Sequence, residues 1–197
     1  MLKVGITGGI GSGKTTVCKV FELFGIPVFY ADDIAKSIMH TDPALKSSII
    51  NVFGENSFTK DGMLNRGYIS SIVFNNKEEL EKLNSLVHPA VFRAFDNWVL
   101  EQNEAPYVIK EAALLYESGA YKMCDKSILV TAPTETKIRR VRVRDDISTE
   151  EVQLRMNRQF SDDQKKQFAD HILNNDESQL LIPQIAQLHQ LFLMMVS

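Results

Sequence analysis

An α/β fold, a parallel sheet flanked by helices and interrupted by a helical insertion, is what this 197-residue sequence predicts. Three observations predict it. Leu2–Thr7 is a short apolar run that glycines break at once, a helical period starts at Lys14, and Ile26–Tyr30 is a second apolar run of strand length. Strand, glycine-rich turn, helix and strand make a βαβ unit, in which the two strands are parallel and the crossover is right-handed.

The elements follow in order. Val17, Val20, Phe21 and Phe24 recur at helical spacing and give the first helix one apolar face. Gly25 stands where a left-handed cap belongs, and Pro27 keeps that helix from resuming. Residues 33–53 read as helical, with Pro43 as a break or first-turn residue. FTKDGMLNRG, from Phe58 to Gly67, is a loop signal. Residues 76–104 read as two helices broken before Pro89, because a residue preceding proline avoids the α region. With no clear strand between about 33 and 105, this stretch predicts the helical insertion. Strands return at Tyr107–Leu115 and Ser127–Ala132. Pro133 and Thr134 open a helix that carries Arg139, Arg140, Arg142 and Arg144. Ser148 with Glu151, and Ser161 with Gln164, match capping boxes at two further helix starts. Asp170–Asn175 predicts the last strand, and the apolar run from Gln179 to Met195 a closing helix with Pro183 in its first turn.

Composition narrows the function class. Hydrophobic residues at 44% and charged residues at 24% match globular averages and speak against disordered and membrane classes. No apolar run approaches the roughly 18 residues that span a bilayer. The N-terminus lacks a basic lead-in followed by a long apolar core. A net charge of −3 argues against a dedicated nucleic-acid binder. Cys18 and Cys124 lie far apart with no metal-ligand spacing, so each is expected as a buried apolar thiol in a reducing compartment. The expectation is a soluble cytoplasmic protein with no nucleic-acid, membrane or obligate protein partner.

The richest chemical signal is GITGGIGSGKTT. Gly8, Gly13, Lys14 and Thr15 satisfy G-x-x-x-x-G-K-[ST] between a predicted strand and a predicted helix. A loop wrapped around phosphate turns successive backbone N–H groups inward, in conformations that side chains obstruct. The helix that follows adds the positive end of its dipole. The predicted nucleotide-binding residues are Gly9, Ile10, Gly11, Ser12, Gly13, Lys14, Thr15 and Thr16. Lys14 can reach the β/γ-phosphates of ATP, and the Thr15 hydroxyl can hold Mg²⁺.

Such loops serve kinases, switches and motors. No aspartate has a glycine three positions on, no N-K-x-D occurs, and L-S-G-G is absent, which leaves the kinase class. A phosphoryl transferase needs an acid near the acceptor hydroxyl and arginines over the phosphates. Asp32 and Asp33 directly follow the second strand, whose carboxyl end shares an edge with the phosphate loop. Asp32 can accept the hydroxyl's proton or hold Mg²⁺ through water, whereas an N-cap pair opening the next helix is the plainer use of both. Arg140 and Arg144 lie at i and i+4 on one helix face and can clamp a phosphoryl group, or belong to a charged surface with Asp145 and Asp146.

These residues resemble the dephospho-coenzyme A kinase family along nearly the whole chain. T-G-G-I-G-S-G-K matches its opening, ADDIAKSIM its D-A-D-x-I-A-R segment, LVHPAVF its H-P segment, ALLYESG its P-L-L-x-E, TKIRRVRVRD its lid, and HILNN its terminal strand. Tyr30, Lys36 and Ala113 depart from the family pattern, and Tyr30 concentrates the acid role on Asp32. The resemblance implies a nucleoside-monophosphate-kinase-like fold with a five-stranded parallel sheet. It implies a core of about residues 1–32, 105–133 and 151–197, an acceptor-binding insertion over 33–104 and a lid over 134–150. It implies ATP and Mg²⁺ as cofactors and dephospho-coenzyme A as substrate, phosphorylated on its ribose 3′-hydroxyl. Catalytic roles then fall on Lys14, Asp32 and Arg140, nucleotide contacts also on Arg144, and acceptor contacts on Asp32, His88, Leu115 and Glu117. His88 equally fits a cap at the helix break beside Pro89, and Glu117 a surface helix start. Another phosphate-loop kinase and a non-catalytic ATP-gated regulator are the alternatives, and the acceptor requirement separates them.

Overall fold

The computed structural model of the chain describes residues 1–74 and 76–196. It opens with β1 (Leu2–Thr7), α1 (Lys14–Leu23) and β2 (Val28–Tyr30). Four helices follow: α2 (Ala31–Thr41), α3 (Pro43–Phe53), α4 (Arg66–Val73) and α5 (Lys77–Leu100). The remainder is β3 (Tyr107–Glu111), β4 (Lys126–Thr131), α6 (Thr134–Asp145), α7 (Thr149–Met156), α8 (Asp162–Lys166), β5 (His171–Asn174) and α9 (Leu181–Val196). The chain divides into two compact units, Met1–Tyr30 with Val99–Ser197, and Ala31–Trp98. Among the described residues no helix is long and apolar enough to cross a membrane.

The first unit is built on a five-stranded sheet in the order β2-β3-β1-β4-β5, every neighbouring pair parallel. The pleat sends alternate side chains to opposite faces. Val4, Ile6, Tyr107, Ile109, Ile128, Val130 and Leu173 share one face and form a continuous core with Val17, Cys18 and Phe21 of α1 and Ile185 and Phe192 of α9. Each such large apolar side chain contributes roughly 1.5–3 kcal/mol on burial. On the other face Val108, Lys110 and Leu129 are fully buried, and Lys110 Nζ donates to Met123 Sδ at 3.4 Å. Leu115 packs so closely on the β1 backbone that a Cβ on Gly5 would lie 2.7 Å from its Cδ2.

The chain leaves β1 toward β2 on one side and β4 toward β5 on the other. Connections diverging from adjacent strands open a crevice at the strands' carboxyl ends. The segment Gly8–Gly13 lies there, directly after β1. At its far end α1 closes with Gly25 N–H donating to Glu22 O (2.9 Å) and Ile26 N–H to Phe21 O (3.0 Å), a Schellman pair ahead of Pro27. Both capping boxes form, Ser148 with Glu151 and Ser161 with Gln164. Cys18 and Cys124 are free thiols; burial pushes both up, Cys124 to about 11.

The second unit is helical. Asp42 caps α3, accepting from the N–H groups of Ala44 and Leu45, with Pro43 in the first turn. Asn65 caps α4 by accepting from Tyr68 N–H. Ala31, Leu45, Ile49, Phe53, Ile69, Leu83, Val87, Ala90, Val91 and Phe95 are buried apolar residues of this unit.

Three local expectations change. The break before Pro89 does not occur: α5 runs unbroken from Lys77 to Leu100 with Pro89 inside. An internal proline costs about 3 kcal/mol, and the apolar stripe on both sides of it, from Leu83 to Phe95, buries enough to carry the helix through. Helix α2 begins at Ala31, so Asp32 and Asp33 stand in its first turn rather than ahead of it. Strand β3 ends at Glu111, and the run expected to reach Leu115 turns instead, with Ser118 N–H donating to Leu114 O. A short apolar run does not distinguish a longer strand from a buried turn.

Candidate active site

The loop between β1 and α1 is shaped by what touches it. Gly11 and Gly13 adopt φ of 79° and 97°, a region that L side chains rarely occupy. A Cβ on Gly11 would lie 2.5 Å from the Lys137 carbonyl oxygen, and one on Gly13 would overlap the Asn175 amide. Ser12 N–H donates to Gly9 O at 3.0 Å and tightens the turn, while Ser12 Oγ is buried without a hydrogen-bond partner among the described residues. Lys14, Thr15 and Thr16 form the first turn of α1, whose N–H groups have no acceptor within the helix.

Lys14 folds back over this loop. Its Nζ donates to Gly8 O at 3.1 Å and lies 3.9 Å from Glu111 Oε1. The Lys14 and Glu111 side chains are only 12% and 10% exposed, so the pair is little screened by water. Glu111 was not singled out in the sequence. It ends β3 in register with Ile6 of β1, and only the sheet order brings it beside Lys14.

Arg140, from α6, reaches the same loop. Its Nη1 approaches Gly11 O (3.4 Å) and Ser12 O (3.5 Å), and its Nη2 donates to Asn175 O (3.1 Å) and Glu177 (3.2 Å). Asn175 Nδ2 in turn donates to Ser12 O at 2.8 Å. Arg139 Nη2 donates to both Glu177 carboxylate oxygens, at 2.7 and 2.9 Å. The Arg139 guanidinium, then that of Arg140, holds the Glu177 carboxyl below the usual range. Arg144, one turn along α6, is turned to Asp145 (2.7 and 3.1 Å), which also receives Arg155. The two arginines that share a helix face therefore have different partners.

A second set of contacts reaches the loop from the α7–α8 connection. Ile10 N–H donates to Gln159 Oε1 at 2.9 Å. Lys137, almost wholly buried, pairs with Asp162 at 2.8 Å, and its Nζ lies 3.3 Å from where a Cβ on Gly9 would sit. Glu117 Oε1 accepts from Phe160 N–H (2.8 Å) and pairs with the fully buried Lys165 (3.1 Å). Lys165 Nζ also donates to Ala113 O at 2.9 Å, and burial holds this ammonium below its ordinary range although Glu117 pulls the other way.

The remaining expected site residues lie as follows. Leu115 is fully buried against β1. Asp32 is exposed in the first turn of α2, next to Asp33, which pairs with Lys36 at 2.7 Å. His88 is half-buried within α5, its ring 6.2 Å from that of Phe92. With no helix break at Pro89, His88 has no break to cap.

The donor set also tests for a divalent cation. Among the described residues no group of three or more His, Cys, Asp or Glu side chains is placed to hold a metal. Thr15 at the start of α1 and the nearly buried Glu111 carboxylate are hard oxygen donors at this loop. They fit Mg²⁺, which keeps several waters and binds through one or two protein oxygens together with substrate phosphates.

A family model described as dephospho-CoA kinase matches residues 2–180. The dephospho-CoA kinase of Salinibacter ruber is 41% identical over 180 residues, covering 89% of this chain and 89% of that protein. A crystal structure from Thermus thermophilus superposes with a TM-score of 0.82 at 33% identity, over 96% of each chain. The dephospho-CoA kinase from Campylobacter jejuni has the same fold, with a TM-score of 0.62 at 24% identity over 96% of each chain.

Proposed function

The chain belongs to the dephospho-CoA kinase family, and from that premise we propose how its residues move the γ-phosphoryl group of ATP to dephospho-CoA. The reaction is ATP-dependent phosphorylation of dephospho-CoA, a step of coenzyme A biosynthesis, and the acceptor atom is the ribose 3′-hydroxyl.

The loop Gly8–Gly13 cradles the β-phosphate with its backbone N–H groups. Lys14 exchanges Gly8 O and Glu111 for β- and γ-phosphate oxygens and offsets the charge that builds between them. Thr15 and Glu111 would hold Mg²⁺ with the nucleotide, and the ion would supply positive charge against the charge that develops on the phosphoryl oxygens. Arg140 leaves the loop carbonyls to meet the transferring phosphoryl group, and residues 134–150 serve as the lid that carries it. Arg144 joins the nucleotide after releasing Asp145. Asp32 orients the acceptor hydroxyl and takes its proton, and His88, Leu115 and Glu117 contribute to acceptor binding.

One observation supports this reading above the rest: two cations remote in sequence, Lys14 and Arg140, are held on the carbonyls of one glycine-rich loop at the start of a helix. The test is ADP release from ATP with Mg²⁺, in the presence of dephospho-CoA, adenosine, AMP or shikimate. Stimulation by dephospho-CoA alone, with coenzyme A as product, is expected. Stimulation by another acceptor would keep the kinase and overturn its substrate.

A further inference from the structure

The loop's outer face is held by a turn that the phosphate-binding motif does not contain. Residues 157–161 join α7 to α8, and the turn is stiffened at both ends. Gln159 N–H donates to Met156 O at 3.0 Å, and the Ser161–Gln164 capping box fixes the start of α8. From this turn and the first residue of α8 three ties run to the sheet edge and the loop. Gln159 Oε1 accepts Ile10 N–H at 2.9 Å. Asp162 draws Lys137 over Gly9, where an added Cβ would lie 3.3 Å from Lys137 Nζ and 3.5 Å from Asp162 Oδ1. Phe160 N–H donates to Glu117, whose partner Lys165 is fully buried and also grips Ala113 O. That same carbonyl accepts from Thr7 Oγ1 at 3.3 Å, on the last residue of β1 before the loop. A fully buried ammonium is expensive to desolvate, so its engagement by both Glu117 and Ala113 O marks a point whose position matters.

We propose that Gln159 is a positioning residue of the phosphate loop: its side-chain oxygen holds Ile10 N–H outward and so presets the neighbouring N–H groups for phosphate. Ile10 then serves the nucleotide indirectly, through the shape of the loop. The inference rests on the kinase reading only for the identity of the ligand. Preorganised donors bind charge without reorganising first, so loosening the loop weakens nucleotide affinity and leaves the acceptor side unaffected.

The test compares Gln159→Met, which keeps length and removes the acceptor, with Gln159→Glu, which keeps an acceptor oxygen. Two readouts are taken on the full chain: affinity for a non-hydrolysable Mg·ATP analogue by calorimetry, and amide hydrogen exchange across residues 5–16 without nucleotide. For Gln159→Met we expect about tenfold weaker nucleotide binding, faster exchange in the loop and an unchanged KM for dephospho-CoA. Gln159→Glu restores slow exchange in the nucleotide-free loop. Wild-type affinity and exchange in Gln159→Met would overturn the proposal, as would fast exchange in Gln159→Glu. Failure of the kinase reading looks different: the wild-type chain would then make no coenzyme A, while the loop comparison keeps its meaning.

Discussion

In the loop after β1, Gly11 and Gly13 hold backbone angles that other residues resist, and a single added Cβ would meet Lys137 or Asn175. In α5, Pro89 occupies a position that helices resist, and the helix runs on regardless. The loop is specified residue by residue, because each backbone angle and close approach leaves one choice. The helix is specified by a stripe of buried side chains, any one of which outweighs little, but which together override a local penalty. A local rule therefore holds where no burial opposes it, and yields where burial is continuous.

The comparison can be broken at several points. The largest effect is expected from Lys14→Ala, which removes the cation held on Gly8 O. Turnover with dephospho-CoA should fall on the order of 10³-fold or more, about 4 kcal/mol in the barrier, with circular dichroism unchanged. Near wild-type turnover would show that the loop's chemistry resides elsewhere. In the helix, Phe95→Ala removes a fully buried ring and should lower unfolding free energy by about 3–5 kcal/mol in urea titrations. A loss below 1 kcal/mol would mean that the stripe is not what carries α5 past its proline.

Arg140 and Arg144 sharpen the argument within one helix. Arg140→Ala is expected to lower kcat by about 10²–10³, as for loss of a donor aimed at developing charge. Arg144→Ala should lower it by about tenfold or less, because its guanidinium is engaged by Asp145. Equal losses would show that the two arginines act as one clamp. Replacing exposed Pro89 with Ala supplies an N–H in mid-helix and should raise stability by up to about 3 kcal/mol, read as a higher urea midpoint.

The smallest effect lies outside both regions and serves as a control. Asp170 accepts from Ser127 N–H and Oγ at 2.8 and 2.9 Å and pairs with Lys126 at 3.6 Å. Burial alone would raise its pKa, but the Ser127 bonds and the Lys126 charge outweigh burial and hold it below the usual carboxylate range. A carboxyl depressed in the folded state stabilises above its unfolded pKa and loses that contribution as pH falls through the folded value. Asp170→Asn should therefore cost up to about 1 kcal/mol near neutrality, after allowance for solvent screening, and the gap from wild type should narrow below about pH 4. A gap that widened in acid would reverse the sign of this account.

Within the candidate site, legibility tracks sequence distance. Lys14 and Thr15 declare themselves because the phosphate motif compresses strand end, loop and helix start into adjacent positions. Arg140 was visible as one of several arginines on a helix, but nothing in the spacing told that it alone would lie on Gly11 and Ser12. Glu111 and Gln159 carried no signal at all, and Asn175 showed only as the end of HILNN, with nothing to tell that its amide meets Ser12 O. Each is an ordinary polar residue whose importance arises from what lies beside it across the sheet or the α7–α8 turn.

What the sequence by itself determined was the alternation of strand and helix, the two capping boxes, the glycine-rich loop and the family they resemble. These are local facts: periodicity, caps and backbone freedom act over a few residues, so a linear reading recovers them. What only the tertiary structure decided was that α5 passes Pro89, that Glu111 comes up beside Lys14, that Arg140 and Arg144 part company, and that a distant glutamine takes Ile10's N–H. Those outcomes depend on burial and pairing between segments far apart in the chain, where the free energy belongs to the contact and not to either residue.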